Sequence, residues 1–345
     1  MKLNRRELVL AGLGLAGCEG NATGPPASGV QYDPASAMFS YTDCCSVEVT
    51  TARARFSRPT VDGNGLETTN PGARVRFATY GPAWVYLNYT ALVTRQEQYA
   101  DVGSIEIDGA EDSTFGSPAG TGTPARVIVS IPSDGTVHAV SIAMPYSASV
   151  DFLGATGLVQ PILSAPPIRY VAAGDSITQG FYASRTAQSW PYQVALVNNW
   201  QIVNHGYAGR GCEPRDGTTI AKLAPDLISY LIGYNDFAAQ VPLELFRADF
   251  AAFIGNLRAA TRAPLYCVTP IYSPDYAAIA LESYRQVIRD VVAGANDPLT
   301  MVVEGLDLMP ADDALLVDGV HPNDEGSTLL SANFAPVLAH AVPSG

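Results

Sequence analysis

The apolar residues of this chain change their period once, close to residue 160, and that change divides the chain into two folds. Residues 46–50, 74–77, 84–89, 104–108 and 126–129 alternate polar with apolar or carry β-branched side chains, the period-two pattern of half-buried strands. Turn sequences Asp62-Gly63-Asn64-Gly65, Asp108-Gly109 and Ser133-Asp134-Gly135 punctuate them, and helical spacing is absent from about residue 37 to 159. Many short strands at this spacing predict an all-β sandwich, jelly-roll-like, over residues 36–160. Pro161, Pro166 and Pro167 mark the boundary. Beyond them, strands expected at 168–173, 201–203, 226–232, 265–270 and 301–304 alternate with helices expected at 189–198, 243–261, 278–293 and 327–341. Ser189 is the expected cap of the first helix. This alternation predicts an α/β fold over residues 168–345, a doubly wound parallel sheet with helices on both faces. Ligands of such sheets bind beyond the carboxyl ends of the strands.

At 345 residues the chain is longer than one core usually grows. Hydrophobic content of 47% with 15% charged residues is a globular balance. The formal net charge of −13 argues against a nucleic-acid partner, whose phosphates it would repel. The first eighteen residues read as an export signal. Lys2, Arg5 and Arg6 precede an apolar stretch at 8–15, too short for a bilayer-spanning helix, which needs about 20 residues. Leu15-Ala16-Gly17-Cys18 is similar to the lipobox of bacterial lipoprotein signal peptides, which implies lipid on the Cys18 thiol. An ordinary signal peptide that happens to hold a cysteine is the alternative, and Arg5-Arg6 leaves twin-arginine export open. Residues 19–35 read as a flexible tether. The expected location is therefore outside the cytoplasm, with the membrane touched only through the lipid. Of the other cysteines, Cys267 falls in an apolar strand and is expected as a buried thiol, and no disulfide is assigned among Cys44, Cys45, Cys212 and Cys267.

Four segments of the second half carry chemistry. Ser176 lies in a tight Gly174-Asp175-Ser176 turn after the first strand of the parallel sheet, and Asn204-His205-Gly206-Tyr207-Ala208-Gly209 follows the second. Gly233-Tyr234-Asn235-Asp236 follows the third, and Asp318-Gly319-Val320-His321-Pro322 precedes the closing helix. Each has a plain reading as well, since turns and caps use Gly, Asp, Ser and Asn everywhere. A carboxylate three residues before a histidine, however, can reach the imidazole and fix its tautomer. Of the other histidines, His138 lies in the β half, His340 at the C-terminus, and His205 beside the second segment without a nearby partner in sequence.

The run Gly-Asp-Ser-Ile-Thr-Gln-Gly resembles the first block of the GDSL family, also called SGNH hydrolases, and the resemblance covers about residues 168–341. It implies an SGNH-type, flavodoxin-like sheet. It also implies Ser176 as nucleophile, His321 as base, Asp318 as the carboxylate that orients His321, and the Asn235 amide as an oxyanion donor. A glycine of the second block supplies a further N–H. The ending Ala208-Gly209 matches that block, so Gly209 is the choice and Gly206 the alternative. Tyr234 departs from the family pattern, which usually has a small residue before the asparagine.

The implied reaction is acyl transfer to water through a Ser176 ester. No cofactor and no metal are expected, because no His/Asp/Glu cluster has ligand spacing; the loop 62–67 reads more simply as a hairpin than as a calcium site. A β-sandwich ahead of such a domain is similar to carbohydrate esterase family two, which removes acetyl groups from plant polysaccharides. Short acyl groups on carbohydrate, with an acetylated polysaccharide as the substrate partner, are thus the leading expectation. Trp84, Tyr86 and Tyr89 either stack sugars or, the favoured reading, pack a core or the domain interface. A lipase, lysophospholipase or general short-chain esterase is the alternative, and a non-catalytic surface binding lipoprotein the third reading.

Overall fold

A computed structural model describes residues 29–59, 70–92, 101–117, 121–131, 134–162, 166–274 and 277–340. The signal segment with Cys18, the tether up to residue 28, the loop 62–67 and Ser133 lie outside the described residues. Twelve described strands build the first half: β1 (Val30–Tyr32), β2 (Ser40–Thr42), β3 (Ser46–Val49), β4 (Ala54–Ser57), β5 (Arg74–Thr79), β6 (Ala83–Ala91), β7 (Gly103–Ile107), β8 (Ala110–Phe115), β9 (Pro124–Val129), β10 (His138–Ala143), β11 (Ser149–Gly157) and β12 (Val159–Gln160). They form two antiparallel sheets. One runs β3-β4-β11-β6-β9 with β1 added on β11, and the other runs β12-β5-β10-β7-β8 with β2 added on β5. Strict alternation along β6 sends Val85, Leu87 and Tyr89 inward to meet Val75, Phe77 and Phe152 in one core. Tyr89 is therefore a core residue, its hydroxyl donating to the Asp101 carbonyl at 2.8 Å. Trp84 and Tyr86 point to the other face, where the Arg126 guanidinium lies 4.3 Å from the Trp84 ring.

The tether expected over residues 19–35 is partly sheet. In β1, Val30 pairs with Gly157 and Tyr32 with Ala155, and a Cβ on Gly29 would stand 2.3 Å from the Gly157 carbonyl oxygen. Three residues inside a Gly/Pro/Ser-rich stretch give too little alternation to read as a strand, and the partner that orders them lies far along the chain.

The second half is built on β13 (Arg169–Gly174), β14 (Gln201–Gly206), β15 (Leu227–Leu231), β16 (Leu265–Val268) and β17 (Thr300–Val303). All pair in parallel, in the order β14-β13-β15-β16-β17. That is the flavodoxin-like order, with the topological switch at β13. Helices α1 (Ser176–Gln179), α2 (Trp190–Asn198), α3 (Arg215–Ala221), α4 (Tyr234–Ala238), α5 (Leu243–Arg258), α6 (Leu281–Ala295), α7 (Gly305–Leu308) and α8 (Asp324–Ala339) complete it. Alternate residues of β13 serve opposite layers: Tyr170 and Ala172 pack with Trp190 of α2 and Phe334 of α8, while Val171 and Ala173 pack with α5 and α6. Helix α5 buries Phe246, Phe250, Phe253, Ile254 and Leu257, a stripe at helical spacing. Helix α8 starts three residues before the expected position, because Asn323 caps it by accepting from the Gly326 N–H at 2.9 Å. Cys44, Cys45, Cys212 and Cys267 are all free thiols, and Cys267 is fully buried in β16.

The two halves meet through buried polar groups. Tyr192 donates to Glu106 at 2.5 Å, and Arg74 lies 3.4 Å from both Glu106 and Asp43. Asp43 accepts from the Ile202 N–H, and Arg58 donates to the Gly206 carbonyl, so the sandwich grips β14 directly. Arg185 forms a bidentate pair with Glu111 at 2.8 Å.

Candidate active site

The carboxyl ends of β13, β14 and β15 finish level, since Gly174 pairs with Gly206 on one side and Leu231 on the other. The segments carrying Ser176, Gly209 and Asn235 therefore leave the sheet side by side. Gly174 must be glycine: its φ is +155°, and a Cβ would stand 2.2 Å from the Leu231 carbonyl oxygen. Asp175 caps α1 by accepting from the Ile177 N–H at 2.9 Å, which leaves Ser176 as the first helical residue. The Ser176 N–H thus lies at a helix start, where no intrahelical acceptor exists.

His321 arrives from the other side, on a loop closed by a bridge between Leu316 and Pro322. Ser273 pins that loop by donating to the Gly319 carbonyl at 2.6 Å. His321 Nε2 lies 2.7 Å from Ser176 Oγ, and Nδ1 lies 2.9 Å from Asp318 Oδ2. The second oxygen of Asp318 accepts from the backbone N–H groups of His321 (2.9 Å) and Val320 (3.1 Å). Burial opposes ionisation of Asp318, yet these bonds from His321 and the backbone hold its carboxyl down to about 2. An ionised carboxylate only accepts, so Nδ1 carries the proton and Nε2 is free to take one from Ser176.

The second block separates its two glycines clearly. A Cβ on Gly206 would stand 2.2 Å from the Gln179 backbone nitrogen, so Gly206 serves close packing of β14 on α1. Gly209 has φ +76° with open space where a side chain would be. Neither the Gly209 nor the Ser176 N–H donates to any described residue. The amide of Asn235 donates to the Arg210 carbonyl at 2.9 Å, and Asp236 accepts from the Cys212 N–H at 3.0 Å, so α4 pins the loop that carries Gly209. The structure thus brings Ser176, His321 and Asp318 into one hydrogen-bonded chain and lays the Gly209 loop against Asn235 in the first turn of α4.

Three features of the surroundings have no role assigned to them by the sequence. Phe181 and Tyr182 flank His321 with ring separations of 5.7 and 5.5 Å, and Tyr146 of the sandwich packs on Phe181 at 5.7 Å. Tyr182 has φ +64°, a conformation a bulky residue rarely adopts. Asp175 is fully buried, which raises its carboxyl to about 7 against the pull of the Ile177 N–H and His321. Only the third was marked in sequence at all, as the middle residue of the Gly-Asp-Ser turn. The other histidines stay outside: His205 is buried beside Cys45 and Tyr207, and His138 pairs with Asp108 in the sandwich.

Residues 172–329, which hold all four segments, match the model of the GDSL-like Lipase/Acylhydrolase family. They are a GDSL-like lipase/acylhydrolase domain. The chain that carries this GDSL domain is a carboxylic ester hydrolase. No curated protein sequence matches the chain. Among solved structures, it is similar to the salicylyl-acyltransferase SsfX3 from a tetracycline biosynthetic pathway, with TM-score 0.75, 17% identity, and coverage of 90% of this chain and 97% of that one. It is also similar to a family two carbohydrate esterase from Clostridium thermocellum in complex with cellohexaose, with TM-score 0.69, 15% identity, and coverage of 88% and 98%. A family two carbohydrate esterase from Cellvibrio japonicus gives TM-score 0.66, 14% identity, and coverage of 91% and 98%. These matches run through both halves, so the order of a sandwich followed by a GDSL domain is a fold shared with them.

Proposed function

We propose that this esterase is a serine enzyme that removes short acyl groups, acetyl foremost, from carbohydrate. The observation that carries the chemistry is the Ser176–His321–Asp318 chain, with links of 2.7 and 2.9 Å. His321 Nε2 takes the Ser176 proton while Oγ bonds to the ester carbonyl carbon. The carbonyl oxygen becomes an oxyanion, held by the N–H groups of Ser176 and Gly209 and by the Asn235 amide. The bond to the leaving oxygen then breaks, and His321 gives that oxygen its proton. Water repeats both steps on the Ser176 ester, with His321 again as base, and frees the acid.

The leaving group must sit beside His321, since His321 protonates it. The half-buried ring of Tyr182 stands there, 5.5 Å from the imidazole, and supports a sugar as leaving group because aromatic faces suit the apolar faces of sugar rings. The fold shared with family two carbohydrate esterases points the same way. A second reading, transfer of the acyl group to an alcohol acceptor in place of water, is favoured by the fold shared with SsfX3. A panel separates them: acetylated xylan, nitrophenyl esters of increasing chain length, and nitrophenyl acetate with added alcohols. Deacetylation of xylan with loss of rate beyond short chains is expected. Preference for chains longer than about eight carbons would make it a lipase, and product partitioning to the alcohol a transferase. Ser176→Ala should abolish every one of these activities with the circular-dichroism spectrum unchanged; survival of activity would refute the serine mechanism.

We also propose that Cys18 carries lipid and anchors the exported enzyme, a reading supported by the lipobox-like Leu15-Ala16-Gly17-Cys18. Cys18→Ser should move the protein from the membrane fraction to the soluble one. An unchanged distribution would remove the anchor.

A further inference from the structure

Gln179 closes α1, three residues after Ser176, and is fully buried. Its side chain spans the boundary between the two halves. Nε2 donates to the Tyr146 carbonyl at 3.0 Å and to Ser147 Oγ at 3.3 Å, both in the sandwich segment between β10 and β11. Oε1 accepts from the Ala208 N–H at 2.8 Å. Ala208 is the residue before Gly209, whose N–H donates to no described residue. The neighbouring backbone is held too: Tyr207 N–H donates to the Gly174 carbonyl at 3.0 Å, and Arg210 N–H to the Tyr207 carbonyl at 3.2 Å.

We propose that Gln179 is a positioning residue for the oxyanion site, and that the sandwich shares in setting its orientation. This rests on the serine mechanism above, in which the Gly209 N–H receives the oxyanion. A primary amide fits a pocket in two nearly isosteric orientations that exchange donor and acceptor. The Tyr146 carbonyl can only accept and the Ala208 N–H can only donate, so both select the orientation with Nε2 toward the sandwich. That turns Oε1 toward Ala208 and fixes the Tyr207–Ala208 peptide unit, one before the unit that carries the Gly209 N–H. The sandwich thereby reaches the reacting centre without touching substrate: the Tyr146 carbonyl on one side and the Ala208 N–H on the other together lock the amide between the first half and the catalytic loop. Donors for an oxyanion act by being in place before charge develops, so a loosened loop costs rate and leaves substrate binding alone.

Gln179→Met keeps the length and removes both bonding groups. Its kcat on nitrophenyl acetate should fall on the order of 10–100-fold, the scale of displacing or losing such a donor, with KM within about twofold. Affinity for phenylboronic acid, whose tetrahedral adduct on Ser176 places an oxygen in the oxyanion site, should fall in parallel. A kcat within twofold of wild type, or a boronate affinity that stays constant while kcat falls, would overturn the proposal. Gln179→Glu gives a second readout that a purely structural role would not produce. Its protonated acid can donate to Tyr146 and accept from Ala208, whereas the carboxylate repels Tyr146. The ratio of variant to wild-type kcat should therefore rise as pH falls, and a flat ratio counts against the proposal. The serine mechanism is judged separately: it fails if Ser176→Ala retains hydrolysis or boronate binding, whatever the Gln179 variants do.

Discussion

At the scale of single residues, the site depends on which groups move protons and which hold others still. His321 contacts Ser176 Oγ at 2.7 Å, whereas Asp318 bonds to the His321 ring and to the backbone N–H groups of Val320 and His321. His321→Ala should therefore cost about 10⁶-fold in kcat and Asp318→Ala about 10⁴-fold, by the pattern of other serine triads. Equal kcat for Asp318→Ala and wild type would mean that another group orients the imidazole. Asp175 makes a different kind of demand. Burial raises its carboxyl from 3.8 to about 7, so the folded protein holds this proton more tightly than the unfolded chain does. Its contribution to stability is full below about 3.9 and is lost as pH rises through about 7, because the unfolded chain releases the proton first. Asp236, raised to about 6 by burial, adds a smaller slope of the same sign. Asp175→Asn keeps an acceptor for the Ile177 N–H and should flatten urea-unfolding stability across this window. Wild-type and variant curves that stay parallel would show that Asp175 is ionised in the fold.

At the scale of elements, the two glycines of the β14 loop make opposite predictions. Gly206→Ala drives a methyl group into the backbone nitrogen of Gln179, which cannot move without α1, so a large loss of Tm with little soluble protein is expected. Gly209→Ala has room for its methyl group and pays about 1–2 kcal/mol for a left-handed backbone. It should fold, with kcat reduced because the methyl projects into the space where substrate would lie. A folded, active Gly206→Ala would reverse the assignment of the two. The choice of Gly209 was legible in sequence only through the family pattern. What separates it physically from Gly206 is a neighbour 27 residues earlier, Gln179, and no local signal reports that contact. The strands of the parallel sheet were legible because both their faces are buried, giving continuous apolar runs such as 227–231. Helices α1, α3 and α4, with four, seven and five residues, were not, since one turn or two carries no periodicity. Gln179, Phe181 and Tyr182 escaped for a related reason: their roles depend on Tyr146 and His321, which tertiary structure alone brings near.

At the scale of the molecule, buried polar and charged groups join the sandwich to the GDSL domain, and the two should unfold as one body. Glu106 is 5% exposed and serves both Tyr192 and Arg74. Glu106→Ala leaves a buried guanidinium and phenol short of an acceptor, and should lower the free energy of unfolding by about 3 kcal/mol. Denaturant unfolding followed through tryptophan, with Trp84 in one half and Trp190 and Trp200 in the other, should remain a single transition in wild type. A change under 1 kcal/mol in the variant would mean that the contact contributes little. The unpaired thiols turn this coupling into something that can be timed. Cys45 is half-buried where the halves meet, 3.9 Å from the His205 ring, whereas Cys267 is sealed inside β16. An alkylating reagent reaches the first when the halves part and the second only when the sheet itself comes undone. The ratio of the two labelling rates is then a clock for domain separation against global unfolding, read by mass spectrometry on the native sequence without a single substitution.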